Sequence, residues 1–159
     1  MELRHIIAAR LHLLHRWSCP WDSDNLPSRR YIGDYGELVA SSWLRSQGLK
    51  VLRRNFRWGD SGEIDIVCRE RDQLIFIEVK SNACLSHGRP GRAVNRHKRE
   101  LLRRGARNWL MLLNRSVPIR FDIIEVRLPA GQRPDIRHRR AAFTLHDGDI
   151  PHSAEPGTL

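Results

Sequence analysis

Residues 62–81 read GEIDIVCRERDQLIFIEVKS, two apolar runs on either side of the polar tetrapeptide ERDQ. Each run has the length and the β-branched content of a strand, and the tetrapeptide between them is typical of a turn, so the stretch predicts an antiparallel hairpin. In the second run Leu74 and Phe76 point one way, and Ile75 and Ile77 point the other. Because both faces are apolar, this strand is predicted to lie in the middle of a sheet that is covered on both sides.

Acidic and basic side chains end the same hairpin. Glu78 and Lys80 continue the face begun by Phe76, and pairing of the two strands can bring Asp65 beside Glu78. Strict alternation puts Asp65 on one face of its strand and the following side chains on the other: Ile64, Ile66 and Cys68. Two neighbouring carboxylates suit Mg²⁺ or Mn²⁺, and an adjacent lysine could orient water or stabilise charge on a phosphate. In the alternative interpretation, Glu78 and Lys80 are solvated strand ends and Asp65 only lies near a turn.

Further elements extend from the hairpin in both directions. Residues 34–47 are predicted to form a helix that Gly48 ends, and residues 50–58 a strand. Asn95 could cap a helix through about Leu113, and residues 119–127 form a further strand. The tail from Leu128 is polar, with at most a short strand near 141–146. The order helix, three strands, helix, strand predicts an α/β fold with a mixed central sheet flanked by helices.

Three regions are expected along the 159 residues: a basic helix and linker over 1–30, a domain over 31–146, and a flexible tail over 147–159. The first 17 residues are interrupted by arginine and histidine, which argues against a signal peptide. A short basic amphipathic helix can lie on a membrane surface, but it more often packs on its own domain, so no membrane partner is expected. The three widely spaced cysteines favour a reducing cytoplasm over a disulfide framework.

Charge points to a polyanionic partner. The chain has 28 basic and 18 acidic residues, and only three of the basic residues are lysines. Arginine contacts phosphates through two hydrogen bonds at once, so this composition favours nucleic acid, although an arginine-rich codon bias would produce it too.

The strongest concentration of charge falls in residues 89–107, which hold eight basic residues and one acid, Glu100. Helical spacing aligns most of the predicted nucleic-acid-binding residues, and the full set is Arg92, Arg96, Lys98, Arg99, Arg103 and Arg107. The alternative is a solvated helix face, but such a face would normally mix charges of both signs. Contact with the phosphates of a nucleic acid, DNA above all, explains a stripe of one sign better.

The hairpin motif and its neighbours resemble a known family. The segments GDYGELVASSWLRSQGLKVLRRNFR (33–57), GEIDIVCRERDQLIFIEVKS (62–81), AVNRHKRELLRRGARNWL (93–110) and IRFDIIEV (119–126) resemble the YraN-like family of bacterial proteins. That family is similar in fold to archaeal Holliday junction resolvases and belongs to the PD-(D/E)XK nuclease superfamily, which has a restriction-endonuclease-like fold. The resemblance covers roughly residues 28–145.

The resemblance implies roles for individual residues. Asp65 and Glu78 correspond to metal-ligating carboxylates, with the Val79 carbonyl as a further ligand, and Lys80 corresponds to the catalytic lysine. Glu37 corresponds to the accessory acid of the superfamily, although an acid there could simply favour the start of its helix.

The function implied is a Mg²⁺- or Mn²⁺-dependent endonuclease that hydrolyses DNA, with branched DNA as a candidate substrate. Because a resolvase cuts two symmetric strands, a homodimer is a candidate assembly. The alternatives are a non-catalytic nucleic-acid-binding protein that has kept the fold, and a basic adaptor that recruits a partner.

Overall fold

A computed structural model describes residues 18–59, 62–83, 94–114 and 116–145. It contains a helix, three strands, a second helix and two more strands: α1 (Arg29–Ser46), β1 (Lys50–Arg57), β2 (Glu63–Glu70), β3 (Gln73–Asn82), α2 (Arg96–Leu113), β4 (Ile119–Arg127) and β5 (Asp135–Phe143). This mixed α/β architecture is compatible with a restriction-endonuclease-like fold. Neither helix of the described chain is long and apolar enough to cross a membrane.

Capping side chains define the start of both helices. The Ser28 hydroxyl accepts a hydrogen bond from the Tyr31 amide at 3.2 Å, and α1 begins five residues earlier than the sequence predicts. The Asn95 side chain accepts from the Lys98 amide at 2.8 Å, which confirms the predicted cap of α2. Each cap satisfies a backbone donor that the first turn of a helix leaves unpaired.

The five strands form one sheet in the order β1-β2-β3-β4-β5. Only β3 and β4 are parallel, and α2 makes the crossover between them. The central position predicted for β3 is therefore confirmed, and it follows from the apolar character of both faces of this strand.

The two faces of the sheet have separate cores, each beneath one helix. Val39, Ala40 and Leu44 of α1 pack against Ile75 and Ile77 of β3 on one face. On the other face, Leu102 and Ala106 of α2 pack with an aromatic group that consists of Phe76, Phe121 and Phe143. Strand β3 contributes alternate residues to both cores, as its sequence predicts.

Alternation breaks in β2 at Asp65. Ile64 lies in the core beneath α2, whereas Ile66 and Cys68 lie in the core beneath α1. Strict alternation, which predicts all three on one face, is therefore wrong at this point. Opposite the break, Asn55 of β1 has a φ of 51°, the left-handed conformation that asparagine tolerates better than most residues. The irregularity affects both strands and turns the start of β2 relative to its end.

Strand β5 was largely missed by the sequence pattern. It runs over Asp135–Phe143 as an edge strand, much longer than the short segment expected near 141–146. Most of its side chains are exposed, and arginines occupy positions 137, 139 and 140. An edge strand that buries little apolar surface has no hydrophobic periodicity from which it could be predicted.

The linker interpretation of residues 18–30 is wrong for Cys19 and Trp21. Both side chains are buried in the core beneath α1, and the Cys19 amide donates to the Gln132 carbonyl at 2.6 Å. The predicted helix over 1–17 and the flexible tail over 147–159 lie outside the described residues. So does most of the segment 82–91, in which Gly88, Pro90 and Gly91 predict a loop.

Candidate functional site

The hairpin of β2 and β3 opens into a fork at the end away from its turn. The two carboxylates of the fork are Asp65 on β2 and Glu78 on β3. Register pairing extends from Glu70–Gln73 to Ile66–Ile77, and Asp65 and Glu78 are the next residues on the two strands. The Val79 amide donates to Asp65 Oδ2 at 2.7 Å. A side-chain carboxylate thus accepts the hydrogen bond that a strand carbonyl normally accepts, which fixes Asp65 against the neighbouring strand.

Glu78 is a buried carboxylate that two lysines contact. Its side chain is 3% exposed, with Lys80 Nζ at 2.6 Å from Oε1 and Lys98 Nζ at 3.1 Å from Oε2. The Lys98 ammonium is not aligned for a hydrogen bond, so Oε2 is a buried oxygen with a charge partner but without a hydrogen bond. Burial of a carboxylate is costly unless it is paired, and the two amines supply that pairing.

The proximity of the carboxylates is visible in the electrostatics of Asp65. Burial and the negative charge of Glu78 raise the pKa of Asp65 well above its ordinary value, against the lowering effects of the Val79 amide and of Lys98. Like charges that lie close together disfavour ionisation of one of them. A cation bound at the fork would remove this repulsion.

Glu37 lies on the α1 side of the sheet and contacts β1. Its Oε2 accepts from Asn55 Nδ2 at 3.0 Å and lies 3.6 Å from an Arg54 guanidinium nitrogen. Burial raises the pKa of Glu37, although Asn55 and Arg54 oppose the change. Asn55 lies opposite Asp65 in the pairing of β1 with β2, so its hydrogen bond holds Glu37 near the fork.

The donor set fits a small, hard cation. Asp65, Glu78 and the Val79 carbonyl are oxygen donors, and the Oε2 atom of Glu78 lacks a hydrogen bond. Within the residues that the structure describes, no group of three or more histidine, cysteine, aspartate or glutamate side chains is arranged to hold a metal ion. Two carboxylates suffice for Mg²⁺, which commonly takes water and substrate oxygens for its remaining ligands.

The predicted arginine stripe on α2 divides into surface and buried residues. Arg96 and Arg107 are exposed, whereas Arg99 is partly buried and donates to the Val94 carbonyl at 2.8 Å. Arg103 is 3% exposed and donates to the Thr144 carbonyl, so the expectation that it forms part of a phosphate-binding surface is wrong. Arg92 lies outside the described residues.

Two features of the site were missed by sequence reasoning. Lys98 is among the predicted nucleic-acid-binding residues, but its ammonium lies against Glu78. Asn55 bonds Glu37, and its side chain also helps to lower the pKa of Glu63, together with Arg57. An asparagine inside a strand is unusual, and that was the available signal.

A second polar cluster lies away from the fork. Asp122 of β4 is fully buried, accepts from Arg120 Nε at 2.8 Å and lies 2.8 Å from His138 Nε2. Trp43 of α1 packs edge-on against His138 with ring centroids 5.5 Å apart. A charged residue in the middle of the apolar segment 119–126 could have signalled such a cluster, because a buried charge needs partners.

Comparison with known proteins gives consistent matches over this domain. Residues 36–126 match the model of an uncharacterised protein family, UPF0102. A UPF0102 protein of Beutenbergia cavernae is 41% identical over 110 residues, which is 69% of this chain and 92% of the relative. Another, of Syntrophotalea carbinolica, is 42% identical over 119 residues, 74% of this chain and 94% of the relative.

The matched range contains α1 from its eighth residue, strands β1 to β3, α2 and almost all of β4, and with them every residue of the fork. A third relative, from Trichlorobacter lovleyi, is 41% identical over 117 residues, 72% of this chain and 91% of its own length. The chain therefore belongs to the UPF0102 family, whose members are the YraN-like proteins that its sequence resembles.

Proposed function

We propose that this protein hydrolyses phosphodiester bonds in DNA with the help of Mg²⁺ or Mn²⁺, and that branched DNA is a candidate substrate. The observation that carries the proposal is the fork itself. There Asp65 and Glu78 lie next to the last pair of residues that join β2 and β3, and Lys80 contacts Glu78. Two close carboxylates with a lysine beside them are suited to phosphoryl chemistry. The resemblance to the nuclease superfamily supports the same conclusion.

Each residue of the fork has a separate task in this proposal. Asp65 and Glu78 would hold the cation, with the Val79 carbonyl beside them, and the cation would acidify a water molecule and neutralise phosphate charge. Lys80 has its side chain 44% exposed, so its ammonium can reach both the buried carboxylate and a bound phosphate. Its positive charge would then stabilise the negative charge that develops on the phosphate. Glu37 would be the accessory acid at the rim of the site.

The net charge of +10 and the exposed arginines of α2 support nucleic acid as the partner. A cytoplasmic location belongs to this proposal, because the DNA of a bacterial cell lies there and because Cys19 and Cys68 are free thiols. A homodimer is proposed only for cleavage of symmetric branched DNA, and light scattering with and without a four-way junction would test it.

Incubation with labelled linear duplex, single-stranded and four-way junction DNA, in Mg²⁺, in Mn²⁺ and in chelator, tests the activity. We expect cleavage that depends on the cation and that falls at least about a hundredfold in Asp65→Asn, because a neutral amide is a poor ligand for a hard cation. Asp72→Asn is the matched control, since Asp72 is exposed in the turn between β2 and β3. Wild-type rates in Asp65→Asn, or cleavage in chelator, would contradict the proposal.

A non-catalytic nucleic-acid-binding protein is the second candidate, and the ion pairs of Glu78 favour it. Lys80 and Lys98 together already balance the charges of Asp65 and Glu78 without a cation. For a protein of this kind we expect binding to all three DNAs in chelator and no cleavage of any of them in either cation.

A further inference from the structure

Lys98 reaches the fork from a helix, unlike the other residues of the site. It is the third residue of α2, and its ammonium lies 3.1 Å from Glu78 Oε2 and donates to the Glu63 carbonyl at 3.3 Å. The ammonium thus contacts both sides of the fork, Glu63 at the start of β2 and Glu78 within β3. It is 27% exposed, which makes it more buried than Lys80.

Helix electrostatics do not explain this position. The first turn of α2 contains no acidic residue, and a positive charge at a helix N-terminus opposes the helix dipole. The favourable contacts of the Lys98 ammonium are the ion pair with Glu78 and the hydrogen bond to the Glu63 carbonyl, both at the fork.

The oxygen that Lys98 contacts is also the oxygen best placed to accept a cation. Glu78 Oε2 is buried and has no hydrogen bond, and Lys98 also lowers the pKa of Asp65 through its charge. A divalent cation held by Asp65 and Glu78 would meet this ammonium at the same carboxylate. Two positive charges at one carboxylate oxygen repel each other strongly in a poorly solvated site.

We propose that Lys98 is a positioning residue that competes with the divalent cation for Glu78, holding this carboxylate in place until a cation displaces the ammonium. The inference rests on the cation site of the proposed function. It assigns to Lys98 a role in regulating cation occupancy instead of a role in contacting phosphates along α2.

Binding of Mn²⁺ alone to the full chain, measured by electron paramagnetic resonance of the free ion, tests the competition. We expect Lys98→Met to bind Mn²⁺ roughly tenfold more tightly than wild type, because the competing charge is gone. Lys98→Arg, which keeps the charge, should bind as wild type does. Lys50→Met is the control, because it removes the same net charge from an exposed lysine of β1.

Unchanged or weaker Mn²⁺ binding by Lys98→Met overturns the inference, and so does the absence of Mn²⁺ binding from both proteins. Equal tightening in Lys50→Met overturns it as well, because the effect would then be one of net charge. If wild type cleaves DNA but Lys98→Met binds Mn²⁺ no more tightly than wild type, the inference about Lys98 fails and the proposed function stands. Tighter Mn²⁺ binding in Lys98→Met without cleavage of any DNA would support Lys98 as competitor and contradict the nuclease.

A measurement on the unsubstituted chain avoids any dependence on the folding of a variant. The protein has only three lysines, Lys50, Lys80 and Lys98, so reductive methylation with ¹³C-formaldehyde should give three lysine signals. Addition of Mg²⁺ should shift the Lys98 signal in proportion to cation occupancy and leave the Lys50 signal in place. A Lys98 signal that stays unchanged up to saturation would overturn the inference.

Discussion

Asp65 has two structural roles that depend on one another. Its carboxylate accepts the amide hydrogen bond of Val79, and its backbone lies where the side chains of β2 change from one core to the other. Burial and Glu78 disfavour the negative charge of Asp65, although an uncharged group would suffice for the hydrogen bond with Val79. A functional arrangement of this kind is commonly maintained at a cost in stability.

Asp65→Asn should therefore stabilise the protein at neutral pH, by about 1 kcal/mol, because the amide oxygen can still accept from Val79 while the repulsion of Glu78 disappears. The sign follows from the raised pKa of Asp65: as the pH rises above the ordinary value of about 4, the unfolded chain loses a proton that the folded protein still holds, so the stability of the fold falls until the raised pKa is passed. Chemical denaturation at pH 7.5 and at pH 3.5 measures the difference, which should vanish in acid. A loss of stability at pH 7.5 would contradict it.

The pKa of Asp122 shifts in the opposite direction to that of Asp65. Burial alone would raise its pKa, but hydrogen bonds from His138, Arg120 and the Ala141 amide lower it below its ordinary value. Asp122→Asn should cost about 3 kcal/mol at pH 7, because it leaves Arg120 without its buried counter-charge. The stabilising effect of Asp122 is fully present above about pH 4 and is lost as the pH falls through its lowered pKa.

Urea denaturation of wild type and Asp122→Asn between pH 7 and pH 3 tests this. The free energies of unfolding of the two proteins should converge only in the acid part of that range. Asp135→Asn is a suitable control. That aspartate is 54% exposed and its ion pair with Arg127 should contribute less than about 0.5 kcal/mol.

At the level of residues, the sequence predicts the carboxylate pair and misplaces Lys98. Asp65 and Glu78 follow from hairpin pairing, which is local and depends on only two strands. Lys98 could not be assigned in that way, because helical spacing orders the residues of α2 among themselves and contains no information about which strand end the helix approaches.

The packing of α1 on β3 depends on the absence of a side chain at Gly36. A Cβ atom at this position would lie 1.7 Å from Ser81 Oγ and 2.5 Å from Ser81 Cβ. The helix and the strand that carries Glu78 can approach so closely only because this glycine is there.

Gly36→Ala should destabilise the protein by about 2 kcal/mol, because the helix or Ser81 must shift. Gly33→Ala, in the same helix with nothing within 4 Å of the added atom, should instead stabilise it by up to about 1 kcal/mol. Thermal denaturation of both variants checks the opposite signs. Restoration of stability by Ser81→Gly in the Gly36→Ala background would identify the contact, and equal effects of the two alanines would contradict it.

The arginines of α2 should also divide into two groups, those that affect DNA binding and one that affects stability. Arg96→Gln and Arg107→Gln should leave the melting temperature unchanged and each lower the salt dependence of DNA binding by about one unit, because both side chains are exposed. Arg103→Gln should destabilise the fold by about 2 kcal/mol, because Arg103 is buried against Thr144 and the Phe143 ring. Titration of one labelled duplex at several salt concentrations checks the first pair. Salt curves identical to wild type would show that these arginines only solvate the helix.

The elements differ in how well they could be predicted. The strands β1 to β4 and the helix α2 lie where apolar periodicity and the Asn95 cap predict them. Strand β5 could not be found in this way, because it is held by backbone pairing with β4 and by polar contacts such as that of His138 with Asp122.

The domain as a whole includes more of the chain than the range 36–126 that the family model matches. Trp21 is buried against Tyr35, with ring centroids 5.2 Å apart, and its carbonyl accepts from the Gly131 amide at 3.1 Å. The segment before α1 thus closes over the end of the sheet next to the connection between β4 and β5. It lies outside the matched range 36–126.

Trp21→Ala should lower the free energy of unfolding by about 3 to 4 kcal/mol, because a large buried aromatic leaves a cavity. Trp58→Ala is the matched control: this tryptophan is 50% exposed, so its removal should cost less than about 1 kcal/mol. Denaturant titrations of the three proteins measure both values. A Trp21→Ala protein as stable as wild type would show that the segment is an appendage.

The single parallel pairing in the sheet sets the order in which the site can assemble during folding. β1, β2 and β3 are separated by few residues and pair with their neighbours in sequence, whereas β3 and β4 are separated by the long crossover that contains α2. Local pairings form faster than those that close long loops. We therefore expect Asp65 and Glu78 to come together in an early hairpin, where water still screens their repulsion, and Lys98 to arrive with the later docking of α2. In that order the carboxylates would be near each other before the buried charge pair exists, and the docking of α2 would complete their electrostatic environment.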